Sequence, residues 1–380
     1  MKILLMTESL DIGGIETNIK RLSKELLDKG HEVTVAARPG VLNDQIEPLG
    51  VQIVNLKMSI KSPKAIIKDI IKIRNYLPKV DIVHIFSAKA GLLCWLTSLL
   101  CSKKTNPKIV ASLMGLHNKY ENETSLNTNL RAKLTLFGAD TVIVTSPAIG
   151  KVIDKVKSNN QELFEASVVG VEVYKASSKE ESAKIKKSFG INNQKNLITT
   201  IGRLSESKSH HLFINAASEV LKHNPESHFL IVGGGPLKSE LQELIDKKNL
   251  VENVTLMGER QDIKEILSAT DIYVRPGVSE GFVGVTVLEA QSLSKPVIGF
   301  AIEDLEVAIT NKISGLTVPI NDSTGLAEAI CKLLEDPEYA KEIAENGHKQ
   351  FLKNFSIEQI VDNLCSIYDF TIKRETTNKA

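Results

Sequence analysis

The stretch Tyr273–Phe300 (YVRPGVSEGFVGVTVLEAQSLSKPVIGF) decides how this chain folds, because it contains a complete strand–loop–helix–strand unit. A short apolar strand ends before Pro276, a glycine-rich loop follows, and apolar residues then recur at helical spacing from about Gly284. Pro296 ends that helix and begins a second strand. Strands that alternate with helices in this way predict a parallel sheet covered by helices.

Two carboxylates stand in this unit, Glu280 in the loop and Glu289 inside the predicted helix. A carboxylate in a largely apolar helix is costly to bury unless it has a partner. Taken by itself, the helix favours a structural role for Glu289, either capping a backbone group or pairing with a lysine.

Length and composition indicate a globular protein of two domains. The 380 residues are 42% hydrophobic and 24% charged, and a chain of this length exceeds what one core usually supports. The most apolar stretch, Gly91–Cys101, is about half as long as a membrane-spanning helix needs. The N-terminal run Lys2–Thr7 is predicted to be a first strand and not a signal peptide. The cysteines show neither metal spacing nor a disulfide framework, so we predict a cytoplasmic protein.

Charge is divided unequally along the chain. Residues 1–175 contain 24 Lys and Arg against 17 Asp and Glu, whereas the remainder contains 23 against 29. Opposite net charges indicate two bodies with different partners. A basic first half could contact an anionic lipid surface, an acidic polymer or nucleic acid, and charge alone does not distinguish these.

Lysines at positions 61, 64, 68 and 72 alternate with isoleucines in a helix predicted to start at Ser62-Pro63. Their spacing places them in one stripe, which Arg74 and Lys79 flank. A solvated helix face explains this pattern. A patch that contacts an anionic membrane or acceptor is the alternative, since each lysine near an anionic leaflet contributes roughly 1 kcal/mol.

The alternation of strands and helices occurs twice. The first half predicts one doubly wound parallel sheet, the pattern lapses between Val168 and Lys187, and it resumes at Leu197. We interpret the lapse as a linker. The predicted fold is therefore α/β, with two Rossmann-like doubly wound domains that face a central cleft: residues 1–175, residues 176–355, and a C-terminal helix within 356–380.

Charged side chains in the second domain suit a nucleoside diphosphate. Arg203 and Lys208 flank the turn after the strand Leu197–Ile201, and they match a diphosphate as a planar fork and a point charge. The helix that begins near Gly284 adds backbone N–H groups to the same anion. Glu289 can accept hydrogen bonds from two vicinal ribose hydroxyls. The chain has no Asp-x-Asp pair for a divalent metal and no Walker-type phosphate loop.

Two features of the first domain follow strands, where open α/β sheets bind ligands. Gly13-Gly14 comes after the first strand, and His117 comes after the strand Lys108–Leu113. A plain tight turn explains the glycines at least as well, and a hydrogen bond to its own turn explains His117 equally well.

These motifs resemble those of the retaining glycosyltransferases of family 4, whose members have two Rossmann-like domains in the GT-B arrangement. The similarity covers nearly the whole chain. Its strongest segments are GRLSESK (202–208), VGGGP (232–236), VTLMGE (254–259), SEGFVGVTVLEAQSLSKPVIGF (279–300) and SGLTV (314–318).

The resemblance implies transfer of a sugar from a nucleotide donor, most often UDP-linked, with the anomeric configuration retained and with no metal or other cofactor. The first domain would bind the acceptor, the second would bind the donor, and the last helix would cross back to the first domain. The leaving phosphate would itself take the acceptor's proton, so no protein nucleophile is expected.

The resemblance also assigns roles to residues. Arg203 and Lys208 would bind the donor diphosphate and stabilise the leaving phosphate, while Glu289 would bind the ribose hydroxyls. His117 would lie near the 6-position of the sugar. The other residues that the resemblance places at the donor are Gly13, Gly14, Gly234, Glu280, Gly281, Phe282, Val283 and Gly284.

In one respect the chain departs from the family pattern. The two family glutamates are separated by seven residues, whereas Glu280 and Glu289 are separated by eight. An additional residue inside the helix would rotate Glu289 by about 100°. We therefore place it in the loop Gly281–Gly284 and expect Glu289 to keep its role, while Glu280 is the residue whose reach to the sugar changes.

Two other functions remain open on this architecture. A nucleotide-sugar 2-epimerase would need acid and base carboxylates and no acceptor, and the basic first domain argues against it. An inactive homologue would act as a binding subunit, which the retained Arg203, Lys208 and Glu289 disfavour. We expect a lipid-linked or otherwise anionic acceptor at the inner membrane face, as in assembly of cell-envelope polysaccharides, and no nucleic acid partner.

Overall fold

The computed structural model describes residues 1–11, 13–59, 61–101, 106–113, 132–145, 147–155, 157–158, 160–192, 196–278 and 283–377. The chain divides into two compact units, unit 1 (Met1–Gly170 with Ile357–Ala380) and unit 2 (Val171–Ser356). The division after Gly170 falls slightly before the one expected at residue 175.

Unit 1 is built on a seven-stranded parallel sheet with the order β3-β2-β1-β4-β5-β6-β7. The strands are β1 (Lys2–Ser9), β2 (Glu32–Arg38), β3 (Gln52–Asn55), β4 (Ile82–Ile85), β5 (Lys108–Leu113), β6 (Thr141–Val144) and β7 (Glu162–Glu165). The central strands β4 and β6 are buried at every position, as expected for parallel strands covered on both faces. The sequence pattern does not predict β7, because this edge strand is only half-buried and has charged ends.

Helices cover both faces of this sheet. They are α1 (Gly14–Asp28), α2 (Asn43–Ile46), α3 (Pro63–Arg74), α4 (Ala88–Ser98), α5 (Pro147–Asp154) and α14 (Ile357–Thr377), and residues 132–136 are also helical. Parallel crossovers are right-handed, so the reversal of strand order between β1 and β4 puts α1 on one face and α3 and α4 on the other. Accordingly, α3 packs on α4, and α1 packs on α14.

Buried polar contacts attach α14 to the sheet of unit 1. The Tyr368 hydroxyl lies 2.6 Å from His84 Nδ1, and His84 Nε2 lies 2.6 Å from Ser112 Oγ. Further along α14, Thr371 Oγ1 lies 2.8 Å from Thr141 Oγ1. Burial lowers the pKa of His84 to about 3, so the ring is neutral at physiological pH and both of its nitrogens have hydrogen-bond partners.

Unit 2 has a six-stranded parallel sheet with the order β10-β9-β8-β11-β12-β13. Its strands are β8 (Asn196–Ile201), β9 (Ser227–Val232), β10 (Val254–Gly258), β11 (Ile272–Arg275), β12 (Val297–Phe300) and β13 (Leu316–Val318). Its helices are α6 (Lys179–Ser188), α7 (His210–His223), α8 (Lys238–Lys247), α9 (Ile263–Ala269), α10 (Val285–Ser292), α11 (Glu303–Glu306), α12 (Ser323–Glu335) and α13 (Pro337–Asn354). The predicted α/β fold with two Rossmann-like doubly wound sheets is confirmed.

The predicted linker Val168–Lys187 is wrong in its second half, because α6 begins at Lys179. The Ser178 side chain accepts a hydrogen bond from the Glu181 backbone N–H, and the Glu181 side chain accepts one from the Ser178 backbone N–H. This capping box has the visible signature S-x-x-E. The helix was not predicted because the segment contains too few apolar residues to show a helical periodicity.

The helix of the opening stretch, α10, is enclosed on all sides from its third residue onward, although the spacing of Val285, Leu288 and Ala290 predicts burial of one face only. Residues Val287–Ser292 are all buried. The helix contacts β11 and β12 on one side and α13 on the other, and Gln291 Nε2 donates to the Ala308 carbonyl at 2.9 Å. A helix enclosed in this way needs no polar face, so its single carboxylate, Glu289, stands out.

Candidate active site

In each sheet the strand order reverses at one place, between β1 and β4 in unit 1 and between β8 and β11 in unit 2. Open α/β sheets bind ligands beyond the carboxyl ends of the strands at such switch points. The predicted residues Arg203 and Lys208 follow β8, and Arg275 is the last residue of β11. Because β8 pairs with β11, the fold collects three cations at the switch point of unit 2.

Lys208 lies half-buried at the end of the 3-10 turn Glu206–Lys208. Its side chain passes two glycines: a Cβ built on Gly202 would lie 3.5 Å from the Lys208 Cδ, and one built on Gly277 would lie 3.7 Å from it. Burial and, second, the charge of Arg275 lower the pKa of Lys208 to about 8. Both causes make the charged form of Lys208 less favourable, and a bound anion would stabilise that charged form.

Arg275 is a site residue that the sequence reasoning missed. Its side chain is only 4% exposed. Burial lowers the pKa of Arg275, while Tyr273 and Asp304 raise it, and a guanidinium stays charged in any case. A cation at the last position of an otherwise apolar strand is the signal that would have found it.

His210 is a second missed residue, at the start of α7. It is buried, and its Nε2 lies 3.3 Å from the carbonyl oxygen of Arg203. Burial is the main reason that the pKa of His210 falls to about 4. The ring is therefore neutral at pH 7, and it donates its Nε2–H to that carbonyl, which holds the exposed Arg203 peptide against the start of the helix.

The glycine run after β9 lets two loops pack backbone against backbone. Gly233 and Gly235 have φ angles of 144° and 155°, and a Cβ on either would overlap the carbonyl oxygen of Gly202 or Leu204. The Leu204 backbone N–H also donates to the Gly234 carbonyl at 2.8 Å. The run thus supports the turn that carries the cations, and a contact between Gly234 and the donor stays a prediction.

Glu289 lies in the second turn of α10 and is 8% exposed. The neighbouring Tyr273 hydroxyl lies 2.6 Å from Thr286 Oγ1. Burial is the main cause that raises the pKa of Tyr273 to about 12, with Arg275 lowering it and Glu289 raising it further. Since both charges act on one phenol, Glu289 and Arg275 lie in the same neighbourhood at the end of β11.

At the switch point of unit 1, charges occur in pairs of opposite sign. Lys89, in the first turn of α4, forms an ion pair with Glu8 of β1. Arg38 Nη2, at the end of β2, lies 2.7 Å from Asp11 Oδ2. Glu16 stands nearby in the first turn of α1, and burial first, then Asp11 and Glu8, raise the pKa of Glu16.

Gly14 is the first residue of α1. Gly13 is the N-cap in an extended conformation, with φ −172°. A Cβ at Gly13 would overlap the Glu16 carboxylate, so the glycine makes room for that side chain at the N-terminus of the helix. A role of these glycines toward the donor stays a prediction.

Several predicted site residues lie outside the described part of the chain: His117, Glu280, Gly281 and Phe282. Beyond that gap, Val283 is buried, and Gly284 is the N-cap of α10. Among the described residues, no group of three or more His, Cys, Asp or Glu side chains could hold a metal ion.

Two family models match this chain, one in each unit. Glycosyl transferases group 1 matches residues 181–350, and Glycosyltransferase Family 4 matches residues 12–161. Among curated proteins, the Escherichia coli UDP-Gal:alpha-D-GlcNAc-diphosphoundecaprenol alpha-1,3-galactosyltransferase is 28% identical over 299 residues, 76% of this chain and 75% of that protein. The alpha-D-kanosaminyltransferase of Streptomyces kanamyceticus is 26% identical over 188 residues, and the match spans 49% of this chain and about half (48%) of the relative.

The solved structures show the same architecture. The crystal structure of Anabaena Alr3699/HepE in complex with UDP and glucose has a TM-score of 0.81 and 19% sequence identity, over 97% of this chain and 99% of that chain. The two doubly wound sheets therefore have the GT-B fold. With a family model on each unit, the chain belongs to glycosyltransferase family 4, as the sequence motifs predicted.

Proposed function

We propose that this glycosyltransferase moves a sugar from a UDP-sugar, bound at the switch point of unit 2, with retention of configuration at the anomeric carbon. The observation that carries the proposal is the gathering of Arg203, Lys208 and Arg275 at one end of the sheet. Like charges repel, and a diphosphate would offset that repulsion while accepting their hydrogen bonds. The UDP-Gal in the name of the E. coli relative and the UDP in the Anabaena structure support uridine as the base.

In the proposed reaction, the bond between C1 of the sugar and the diphosphate oxygen breaks, and an acceptor hydroxyl oxygen bonds to C1 on the same face. The acceptor's proton passes to the departing phosphate oxygen. Arg203 and Lys208 would stabilise the negative charge that develops on that phosphate, as preorganised cations do in other transfer reactions. The reaction then requires neither a protein nucleophile nor a divalent cation.

The remaining contacts follow the family pattern. Glu289, buried near Arg275, would accept hydrogen bonds from the two ribose hydroxyls, and Glu280 with the following backbone would bind the sugar. His117 would lie near the 6-position of that sugar. The other donor contacts that we propose are Gly13, Gly14, Gly234, Gly281, Phe282, Val283 and Gly284.

The acceptor that we propose is a lipid-linked or otherwise anionic molecule, bound by unit 1 on the cytoplasmic side of the membrane in the assembly of a cell-envelope glycoconjugate. The name of the E. coli relative supports this choice, because its acceptor is a diphosphoundecaprenol-linked sugar. The excess of Lys and Arg in residues 1–175 also supports it.

A screen of thermal stability with UDP, GDP and their sugars tests the donor. We expect UDP and one UDP-sugar to raise the melting temperature, and GDP to leave it unchanged. With that UDP-sugar and excess EDTA, NMR should detect slow release of a product with the donor's anomeric configuration. An inverted product, or no response to any uridine compound, would contradict the proposal, and a 2-epimer formed without acceptor would indicate an epimerase instead.

The two glutamates can be separated by calorimetry and kinetics. We expect Glu289→Ala to abolish binding of the UDP-sugar, and Glu280→Ala mainly to slow transfer, because only the former would hold the ribose. If both variants bind and turn over like the wild type, the assignment of these residues is wrong.

A further inference from the structure

The exposed side of α3 combines apolar and cationic side chains. Ile67 and Ile71, one turn apart, are each 57% exposed. Lys64 and Lys68 stand beside them on one flank, Arg74 stands on the other, and all three are exposed. Two bulky apolar side chains held in water between cations form the pattern of a helix that lies on a lipid surface.

The only carboxylate of α3 is turned away from this side. Asp69 is 1% exposed, and it accepts hydrogen bonds from the backbone N–H groups of Lys57 and Met58 at 2.9 Å each. These bonds fix the helix to the segment that follows β3. The exposed side of α3 therefore has no negative charge to neutralise its lysines.

After Lys89, which is paired with Glu8, the neighbouring helix α4 has no charged residue, and its outward side is apolar. Leu92, Trp95 and Leu96 are half-buried, and Leu99, at the end of the helix, is 63% exposed. These positions recur at spacings of three and four, so they form one stripe. A crossover helix on the surface normally directs polar residues outward, and this one directs leucines and a tryptophan outward.

Trp95 is held in place at this surface by an aromatic neighbour. Its ring centroid lies 4.5 Å from that of Phe137, which is itself 43% exposed. Tryptophan prefers the boundary between lipid and water, because its ring is apolar and its N–H is polar. Within the described residues, no helix combines the length and the hydropathy needed to cross a bilayer.

We propose that the outward sides of α3 and α4, which we call the α3–α4 face, dock on an anionic lipid bilayer. The two helices pack on each other and cover the same side of the unit 1 sheet. The lysines would approach the headgroups, while Ile67, Ile71 and the α4 stripe enter the boundary of the acyl chains. A symmetric contact with a second copy of the chain would set the same cations against each other, so an anionic surface is the better partner.

Docking on a membrane would bring the proposed glycosyltransferase to a lipid-linked acceptor, and only this biological role of the docking rests on the proposed function. Membrane docking is measured without donor or acceptor, and donor binding is measured without membrane. Failure of either one is therefore distinguishable from failure of the other.

The test uses the fluorescence of Trp95, since the chain contains a single tryptophan. The full-length protein is mixed with vesicles of phosphatidylcholine, or with vesicles in which phosphatidylglycerol replaces about a third of the lipid. We expect a blue shift with the anionic vesicles alone, quenching of Trp95 by brominated acyl chains, and loss of both effects at high salt. Equal binding to neutral vesicles, or no shift and no quenching, would overturn the proposal.

Two pairs of substitutions separate the charged and apolar contributions. Lys64→Gln with Lys68→Gln should weaken binding to anionic vesicles about 30-fold, from roughly 1 kcal/mol for each lysine. Ile67→Ser with Ile71→Ser should leave a weak, salt-sensitive association in which brominated chains quench Trp95 less. Neither pair touches the residues proposed to bind UDP, so the rise in melting temperature with UDP should persist and show that the variants fold.

Matched controls come from unit 2. Lys184→Gln with Lys187→Gln removes two exposed lysines from α6, and Val251→Ser with Ile313→Ser removes two apolar side chains that are 55% and 57% exposed. We expect neither control pair to change vesicle binding. A comparable loss with the controls, or a dimer in solution that Ile67→Ser and Ile71→Ser abolish, would overturn the choice of a bilayer at this face.

Discussion

The two units treat charge at their switch points in opposite ways. Unit 2 places Arg203, Lys208 and Arg275 at one end of its sheet, and burial, followed by the charge of Arg275, lowers the pKa of Lys208 to about 8. Unit 1 pairs its charges at the same place in its sheet, Glu8 with Lys89 and Asp11 with Arg38. Similar folds therefore produce one strand end that favours an anionic ligand and one where Lys89 and Arg38 are already paired with carboxylates and Glu16 adds a further carboxylate.

The buried polar residues of the two units also differ in how fully they are paired. His84 has hydrogen bonds at both ring nitrogens, and Tyr368 and Ser112 are its partners. In unit 2, the charge of the buried Arg275 helps to lower the pKa of the half-buried Lys208, and Asp304 offsets part of the cost of burying Arg275. We expect polar residues at the first place to contribute to stability, and those at the second to contribute to binding.

Among the changes that test this contrast between the units, Lys208→Met should have the largest effect on the binding of UDP. Loss of a charged contact to the diphosphate should weaken binding about 100-fold, from 1.5–3 kcal/mol for a hydrogen bond to a charged group. The melting temperature of the free protein should stay the same or rise, because the repulsion with Arg275 disappears. Calorimetry and thermal unfolding measure the two effects.

Lys89→Met is the matched control for that variant in unit 1, where the lysine is paired with Glu8. It should leave the Kd for UDP unchanged. If it weakens UDP binding as much as Lys208→Met does, the contrast between the two switch points fails.

Glu289→Gln should have the next largest effect, a weakening of UDP binding by about tenfold or more, because a neutral amide is a poorer acceptor for two ribose hydroxyls than a carboxylate. The wild type should prefer UDP to 2′,3′-dideoxy-UDP, and the variant should lose most of that preference. Competition calorimetry compares the two ligands. Glu306→Gln, an exposed carboxylate of the same unit, is the control, and an undiminished preference in Glu289→Gln would rule out the ribose contact.

Raising the pH should change the affinity for UDP less than the substitutions at Lys208 and Glu289 do. Lys208 is mostly protonated at pH 7 and mostly neutral at pH 9 in the free protein, since its pKa is about 8. The diphosphate favours the charged form, so affinity should fall several-fold over this range, with uptake of a proton on binding near pH 8. Calorimetry in buffers of different ionisation enthalpy measures the uptake. Lys208→Arg should abolish it, because arginine stays protonated, and an uptake that persists would assign the titration to another group.

The smallest expected effect is on stability and belongs to unit 1. Tyr368→Phe removes the hydroxyl that lies 2.6 Å from His84 Nδ1 and leaves a buried ring nitrogen without its partner. Unfolding in urea should show a loss of about 1–2 kcal/mol, and the Kd for UDP should not change. Tyr339→Phe, whose hydroxyl makes an exposed 3.4 Å contact with the Lys312 carbonyl, should cost almost nothing. Equal losses for the two variants would contradict the role of the buried contact.

Part of the candidate site could be predicted from the sequence, because the motifs around Arg203, Lys208 and Glu289 are local. Arg275 and His210 were missed for different reasons. Arg275 becomes important only because β11 lies beside β8, and local periodicity does not tell which strands are neighbours. His210 forms a hydrogen bond with the backbone carbonyl of Arg203, and no sequence motif predicts such a contact.

The fold shows the same division. Apolar runs bounded by glycine and proline predicted the strands of unit 2, because a parallel strand buried on both faces must be apolar throughout. They failed at β7, a half-buried edge strand, and at α6, where a capping box and not an apolar face marks the helix. They also misjudged α10, which is enclosed between the sheet and α13.

The sequence by itself determined the repeated strand–helix alternation, the doubly wound class and the family, since these depend on residue periodicity and on motifs read within a short window. The tertiary structure alone decided which strand ends meet, and therefore that Lys208 lies close enough to Arg275 for the guanidinium charge to lower its pKa. The order of strands in a parallel sheet is set by packing between segments far apart in the chain. Charges become a site only after that order has brought them together.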